Sequence, residues 1–267
     1  MVESKTHDTK FRVGLFVTCL VDLMRPAVGH ATLKLLEDAG CDVGIPVTQT
    51  CCGQPAYNAG DAKDARTIAA QVIETFEPFE YVVTPSGSCA SMLKIHYPNL
   101  FKNEIDWKSR AENLAAKTFE LSSFLTDVLN QKIFHAPCSG KTTYHDGCSG
   151  LRELGIKRQP RVLLEQAGGI ELVEAKEAES CCGFGGLFCV KHADVSTHIV
   201  DAKIDDIQKT GAGLLLGGDL GCLLNIAGRL HRRGIDIQVR HFAEVLSGHD
   251  QTVPAIGAEE QTKETSS

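Results

Sequence analysis

Eight of the chain's eleven cysteines fall into two sets of four with nearly equal spacing. In the first set Cys19 is followed after 31 residues by the adjacent pair Cys51-Cys52, and 36 residues later by Cys89. In the second, Cys148 is followed after 32 residues by Cys181-Cys182, and 36 residues later by Asp219-Leu-Gly-Cys222. Neighbouring cysteines reach disulfide geometry only with strain, because the S–S dihedral must lie near about ±90°. Metal ligation and redox chemistry are the commoner uses of many thiols in a reducing compartment. Thiolates are soft ligands that suit zinc, copper(I) and iron–sulfur clusters. Structural zinc sites pair their ligands as C-x2–4-C, and no C-x-x-C occurs here. Adjacent side chains diverge, which suits separate irons of a cluster better than one small ion. The glycines after each pair (Gly53; Gly183, Gly185, Gly186) would let backbone amides approach cluster sulfurs closely. Cys41, Cys138 and Cys189 belong to neither set.

The two sets are part of a longer repeat. "LLEDAG" at 35–40 answers "LLEQAG" at 163–168, and "SCASMLKI" at 88–95 answers "GCLLNI" at 221–226. The two CCG pairs lie 130 residues apart, and the same offset puts Met92 opposite Cys222. The last element of each half then resembles a C-x-x-C with one member replaced, by Met92 in the first half and by Asp219 in the second. Met92 is expected to pack and Asp219 to cap the helix that follows, with weak extra ligation as each residue's alternative. The organisation predicted is a polar tail at 1–10, similar halves at 11–130 and 131–250, and a second polar tail at 251–267.

Strands and helices must bring such distant cysteines together. "FRVGLFV" (11–17), "CDVGIPV" (41–47) and "YVVT" (81–84) have the β-branched, apolar character of buried strands. "KTTYH" (141–145), "IELVEA" (170–175) and "GLLLG" (213–217) repeat the pattern. Between them lie helical spacings at 30–40, at 61–76, which opens on a capping Asp61, and at 194–210. Alternation of this kind predicts an α/β fold of two similar lobes, each a small parallel sheet with flanking helices. The cysteines follow strand ends, where open parallel sheets bind their ligands.

Composition narrows the function. At 267 residues with 43% hydrophobic content, the chain can bury an ample core. Its net charge of −7 is dispersed and no basic block appears, which argues against nucleic acid. The apolar runs are too short for a transmembrane segment. The polar start "MVESKTHDTK" lacks the apolar region of a signal peptide, so a cytoplasmic location is expected. "GFGGLF" at 183–188 lacks dinucleotide-binding spacing, and no flavin or nicotinamide site is visible.

The pattern Cys, Cys-Cys-Gly, C-x-x-C, occurring twice, resembles the cysteine-rich CCG domain of heterodisulfide reductase and of the glycolate oxidase iron–sulfur subunit. "TCCGQPAYNAGD", "PSGSCASM", "YHDGCSGLRELGI" and "CCGFGGLFCVKH" are similar, more narrowly, to the lactate-utilisation protein A family. The resemblance runs from residue 13 to about residue 246. It implies iron–sulfur clusters of the [4Fe–4S] kind, one per lobe, on Cys19, Cys51, Cys52, Cys89 and on Cys148, Cys181, Cys182, Cys222. It also implies an electron-transfer role in the oxidation of L-lactate to pyruvate, with lactate-utilisation proteins B and C as partners. The reductase uses five cysteines per motif; each half here keeps four, which leaves cluster type and disulfide cleavage open. Alternatives are glycolate or another 2-hydroxy acid as substrate, a metal-free thiol–disulfide oxidoreductase, and a zinc-stabilised scaffold. His145 and Asp146, just before Cys148, could tune a cluster or move a proton, or serve structure alone. His96, His135 and His192 have no metal-like spacing, and Cys189 is either a spare ligand or a buried thiol.

Overall fold

The computed structural model describes residues 10–131 and 139–258; Cys138 and His135 lie outside them. The described residues build two four-stranded, all-parallel sheets. The first contains β1 (Arg12–Leu15), β2 (Asp42–Gly44), β3 (Tyr81–Thr84) and β4 (Thr118–Glu120) in the order β2-β1-β3-β4. The second contains β5 (Gly140–His145), β6 (Ile170–Leu172), β7 (Leu214–Gly217) and β8 (Gln238–His241) in the order β6-β5-β7-β8. The two sheets thus have one topology, as the repeat predicts. The strands at 41–47 and 170–175 are shorter than their apolar runs, and Val47, beyond Pro46, is 98% exposed. The edge strands β4 and β8 were not among those the sequence pattern marked.

In the first half the helices are α1 (Cys19–Met24), α2 (Pro26–Asp38), α3 (Gln54–Asn58), α4 (Ala62–Phe76), α5 (Gly87–Ser91), α6 (Tyr97–Leu100), α7 (Ile105–Lys117) and α8 (Leu121–Ser123). In the second half they are α9 (Cys148–Leu154), α10 (Arg158–Ala167), α11 (Phe188–Lys191), α12 (Ala193–Lys209), α13 (Leu220–Arg232) and α14 (Phe242–Ser247). Local chemistry sets their limits. Pro26 opens α2, where the missing N–H is not needed. Its buried Val28, Ala31, Thr32, Leu35 and Leu36 lie on one face at helical spacing. Asp61 caps α4 by accepting from the Asp64 amide at 3.0 Å, as expected.

The halves share one core. Leu15, Leu35, Leu36 and Phe124 belong to the same buried cluster as Leu163, Leu164, Leu216 and Phe242. Each such side chain contributes roughly 1.5–3 kcal/mol through burial. Helix α14 packs on α2, and α5 on α9. Polar links cross the same seam. Arg25 pairs with the buried Glu244 at 2.8 Å, and His241 Nε2 donates to the Pro85 carbonyl at 3.1 Å, its Nδ1 accepting from the Ala243 amide. Residues 252–258, read from the sequence as part of a solvated tail, lie against this body. Ile256 is buried and its amide donates to Val239 O at 2.8 Å; the Pro254 carbonyl accepts from Arg25.

Where α5 meets α9, backbone lies on backbone. A Cβ built on Gly87 would fall 2.9 Å from Gly150 Cα and 3.1 Å from its nitrogen, whereas one on Gly150 would stand 3.6 Å from Gly87 Cα. Main chain cannot give way as a flexible side chain can. Gly87→Ala is therefore expected to cost about 1–3 kcal/mol or more in urea unfolding, with Gly150→Ala costing well under half as much. Equal effects of the two would show that the seam is not the tight point.

Candidate functional site

Each sheet delivers its cysteines by the same devices. After β1, the Thr18 hydroxyl accepts from the Val21 amide at 3.3 Å, and Cys19 is the first residue of α1. After β5, Cys148 is the first residue of α9 in the same way. The vicinal pairs sit in the loops after β2 and β6. Gly53 and Gly183 follow them with φ of +79° and +81°, a conformation that favours glycine. At Gly183 space also demands it, because a Cβ would lie 2.6 Å from the Ser196 carbonyl oxygen. The loops are pinned alike: Tyr97 Oη donates to the Cys52 carbonyl at 2.9 Å, and Asn225 Nδ2 to the Cys182 carbonyl at 2.8 Å.

The third element corrects the sequence alignment. Tyr81 of β3 answers Leu214 of β7, N-cap Ser86 answers N-cap Asp219, and Cys89 answers Cys222 as third residue of its helix. The offset here is 133, not 130. Cys89 and Cys222 are therefore equivalent, and what stands in for the first cysteine of a C-x-x-C is Ser86 in one half and Asp219 in the other. Met92 is not the counterpart of Cys222. It is fully buried in the apolar cluster that holds Phe16, Cys52 and Cys89. Asp219 occupies the N-cap position of α13, but its side chain caps nothing there. Instead Oδ2 accepts from the Ser88 amide at 2.9 Å and the Ser86 hydroxyl at 3.2 Å, at the start of α5 in the other half.

The structure brings the four thiols of each set together, and the ten described cysteines are all free. Cys19 Sγ lies 3.6 Å from Cys51 Sγ, and Cys148 Sγ lies 3.9 Å from Cys181 Sγ. Cys52 is within hydrogen-bonding reach of Cys51 and Cys89, and Cys182 of Cys181 and Cys222. Cys51 is drawn down to about 3 by the Cys19 and Cys52 thiols, against burial and with help from the Gly53 and Cys52 amides. Cys181 is drawn down to about 2 by the Cys148 and Cys182 thiols and, after burial, the Gly183 amide. Their donors Cys19, Cys52, Cys148 and Cys182 are pushed up, by the bond to the sulfur that accepts and then by further thiol contacts and burial. The Gly183 amide donates to Cys181 Sγ at 3.3 Å, and the Phe184 amide to Cys182 Sγ at 3.5 Å. Four sulfur donors, two on adjacent residues, with amides aimed at sulfur, fit an iron–sulfur cluster, whose properties such hydrogen bonds tune. The first set also borders an open groove lined by Cys19, Cys51, Leu23 and Val47 among others.

Other singled-out residues separate cleanly. Asp146 is engaged by Arg161, whose two terminal nitrogens donate to its oxygens at 2.9 and 2.8 Å. Cys189 donates to the Gly186 carbonyl at 3.3 Å, and Cys41 is a core thiol raised by burial. His145, the weaker sequence candidate, lies within the second set. One of its nitrogens and the sulfurs of Cys182 and Cys222 are all within 4.8 Å of one another. Burial, then the nearby Lys203 ammonium, pushes its pKa down to about 3, so the ring is neutral. Lys203 is a residue the sequence analysis did not mark; its ammonium donates to the Glu177 and Ala178 carbonyls. The available signal for His145 was its place at the end of a buried strand.

A repeated parallel-sheet unit with cysteines at its strand ends is the class that fold and site define. A family model described as "Cysteine-rich domain" (CCG) matches residues 13–94 and 142–227. Lactate utilization protein A of Anoxybacillus flavithermus is 50% identical over 235 residues, covering 88% of this chain and 98% of that protein. The proteins of the same name from Geobacillus kaustophilus (50% identity; 90% and 100% coverage) and Halalkalibacterium halodurans (48%; 90% and 98%) are similarly related. The chain belongs to the lactate utilization protein A family of cysteine-rich proteins. Among solved structures, a hypothetical protein from Helicobacter pylori shares the fold, with a TM-score of 0.65 at 10% identity over 93% of this chain. This chain spans 49% of that one. No helix among the described residues is long and apolar enough to cross a membrane.

At the seam lies a small pocket lined by Glu120, Tyr144, Asp146 and Asp219 among others, from both halves. The buried Glu120 accepts from the amides of Ser122 and Ser123 and from the Ser122 hydroxyl, yet burial raises its carboxyl to about 7. Below about pH 4.5 the folded and unfolded chains both hold this proton. Between there and about pH 7 the unfolded chain loses it first, so stability falls as pH rises through that window and then levels off. Glu120→Gln should flatten this fall, worth up to about 3 kcal/mol, in denaturant unfolding measured at pH 5 and pH 8. An unchanged slope would mean that Glu120 is already ionised in the folded chain.

Proposed function

We propose that this chain is an iron–sulfur electron-transfer subunit of a system that oxidises L-lactate to pyruvate. It would hold one cluster of the [4Fe–4S] kind in each half, on Cys19, Cys51, Cys52 and Cys89 and on Cys148, Cys181, Cys182 and Cys222. The observation that carries this is the convergence of four unpaired thiols at equivalent strand ends in both halves. One-electron transfer is the chemistry that such a cluster supplies when bound. The chain's own part is to fix the sulfurs, direct the Gly183 and Phe184 amides at them, and bury Cys52, Cys89, Cys182 and Cys222. The half-exposed Cys19 and Cys51, on their open groove, give the first site a face toward a redox partner. Lactate is supported as the substrate by the names of the relatives. Lactate utilization proteins B and C are the partners this reading implies, and the cytoplasm is where the three would work.

The test is anaerobic purification with iron, acid-labile sulfide and zinc counted per chain. About eight irons and eight sulfides are expected, the content of two four-iron clusters. Cys182→Ser should lower iron to about half and stop lactate-dependent electron transfer when the partner proteins are added, while Cys41→Ser should do neither. Asp219→Ala should keep its iron, because the carboxylate is committed to the α5 start. Zinc in place of iron, no metal after reconstitution, or full iron in Cys182→Ser would overturn the proposal.

A further inference from the structure

Phe16 and His145 hold the same place in their halves. Leu15 pairs with Val83 in the first sheet and Tyr144 with the equivalent Leu216 in the second; the next residue, Phe16 just past β1 and His145 at the end of β5, leads into the cysteine turn. Both are buried, at 0% and 1% exposure. Phe16 suits its place by packing on Phe76, with ring centroids 5.5 Å apart. His145 does not suit it by packing alone. Neither ring nitrogen has a hydrogen-bond partner. A buried polar group left without one is destabilising, and this ring carries two. Nearby polar groups do not answer it: Lys203 is committed to two carbonyls, and Asp146 to Arg161. The groups that do lie within reach are sulfurs, Cys182 and Cys222, both buried.

The second set is also short of a donor. At position 219, where a C-x-x-C would carry a further thiolate, stands an aspartate whose carboxylate oxygen is turned to the other half. An imidazole nitrogen facing two thiolate ligands is a borderline ligand suited to iron.

We infer that His145 supplies a nitrogen ligand to the metal centre of the second half, which is then built from four thiolates and one imidazole, while the first is built from thiolates alone. This rests on the thiol sets being metal centres. Its consequence is inequivalence. Ligand type is one of the levers that set iron–sulfur potentials, so the two centres differ in potential and electrons within the chain run from the lower to the higher.

The experiment is pulsed EPR on the reduced, iron-loaded full chain, prepared with and without [15N]histidine. A coupling from a directly bound imidazole nitrogen is expected, changing with the label. It should vanish in His145→Phe, which copies the first half, and in Cys182→Ser, and persist in Cys52→Ser. Redox titration of His145→Phe should shift the potential of one centre, bringing it toward the other, and leave the other unmoved. Should His145→Phe fail to load its second site, His145→Gln and the Cys52→Ser and Cys182→Ser pair still assign the coupling to one half. Iron-loaded protein with no histidine coupling, or a coupling that survives His145→Phe, overturns the ligand assignment and leaves the proposed function standing. A chain that binds no iron overturns both.

Discussion

Four sulfurs crowded together in each half cannot all carry negative charge while the protein around them excludes water, because like charges at such separations hold one another's protons on. The protein alone meets this by sharing protons. Cys51 and Cys181 are drawn down, while Cys19, Cys52, Cys148 and Cys182 are pushed up. The arrangement keeps the thiols near and unbonded, and a bound cationic centre would let each of them ionise. Much of the local structure serves that end. The turns at Gly53 and Gly183, the starts of α1, α5, α9 and α13, and the Tyr97 and Asn225 bonds all fix where sulfur sits.

The parallel sheet is what makes this placement possible. In the order β2-β1-β3-β4 and its copy β6-β5-β7-β8, the strands that precede the cysteine loops are neighbours whose carboxyl ends open to one side. Residues more than thirty positions apart in sequence therefore meet, and the Val17 amide, donating to Gln49 Oε1 at 2.8 Å, ties the first two loops together. Two such units in one chain leave a seam, and the seam is closed by a shared apolar core, by Arg25 with Glu244, and by the contact of Gly87 with Gly150.

The halves share one plan, and three of their differences lie where they meet or where thiols gather. Ser86 faces its own equivalent Asp219 across the seam at 3.2 Å. Glu120 and His241, paired in register with Thr84 and Gly217, are equivalent N-caps of opposite chemistry. Phe16 and His145 differ most, since one completes a core and the other brings two unpaired nitrogens to a set of sulfurs.

Much of this was legible in the amino-acid sequence. Strands buried on both faces read as short apolar runs, so β1, β3 and β7 stand where those runs lie, while β5, with the polar sequence KTTYH at 141–145, was legible through the repeat. The vicinal pairs announced both the repeat and the sulfur chemistry, because adjacent thiols have few other uses. The edge strands β4 and β8 were not legible: they are short, and their polar Glu120, Arg240 and His241 are buried by tertiary contacts alone. Nor was the offset of the third element. Matching letters put Met92 opposite Cys222, whereas strand pairing and helix starts put Cys89 there. Residue type and spacing thus determined which donors exist and the order in which the strands present them. Which donors meet, and which turn away, was decided only in three dimensions. Asp219 faces the Ser88 amide and His145 faces Cys182 and Cys222 because their neighbours come from distant strands and from the other half, and local sequence carries no record of them.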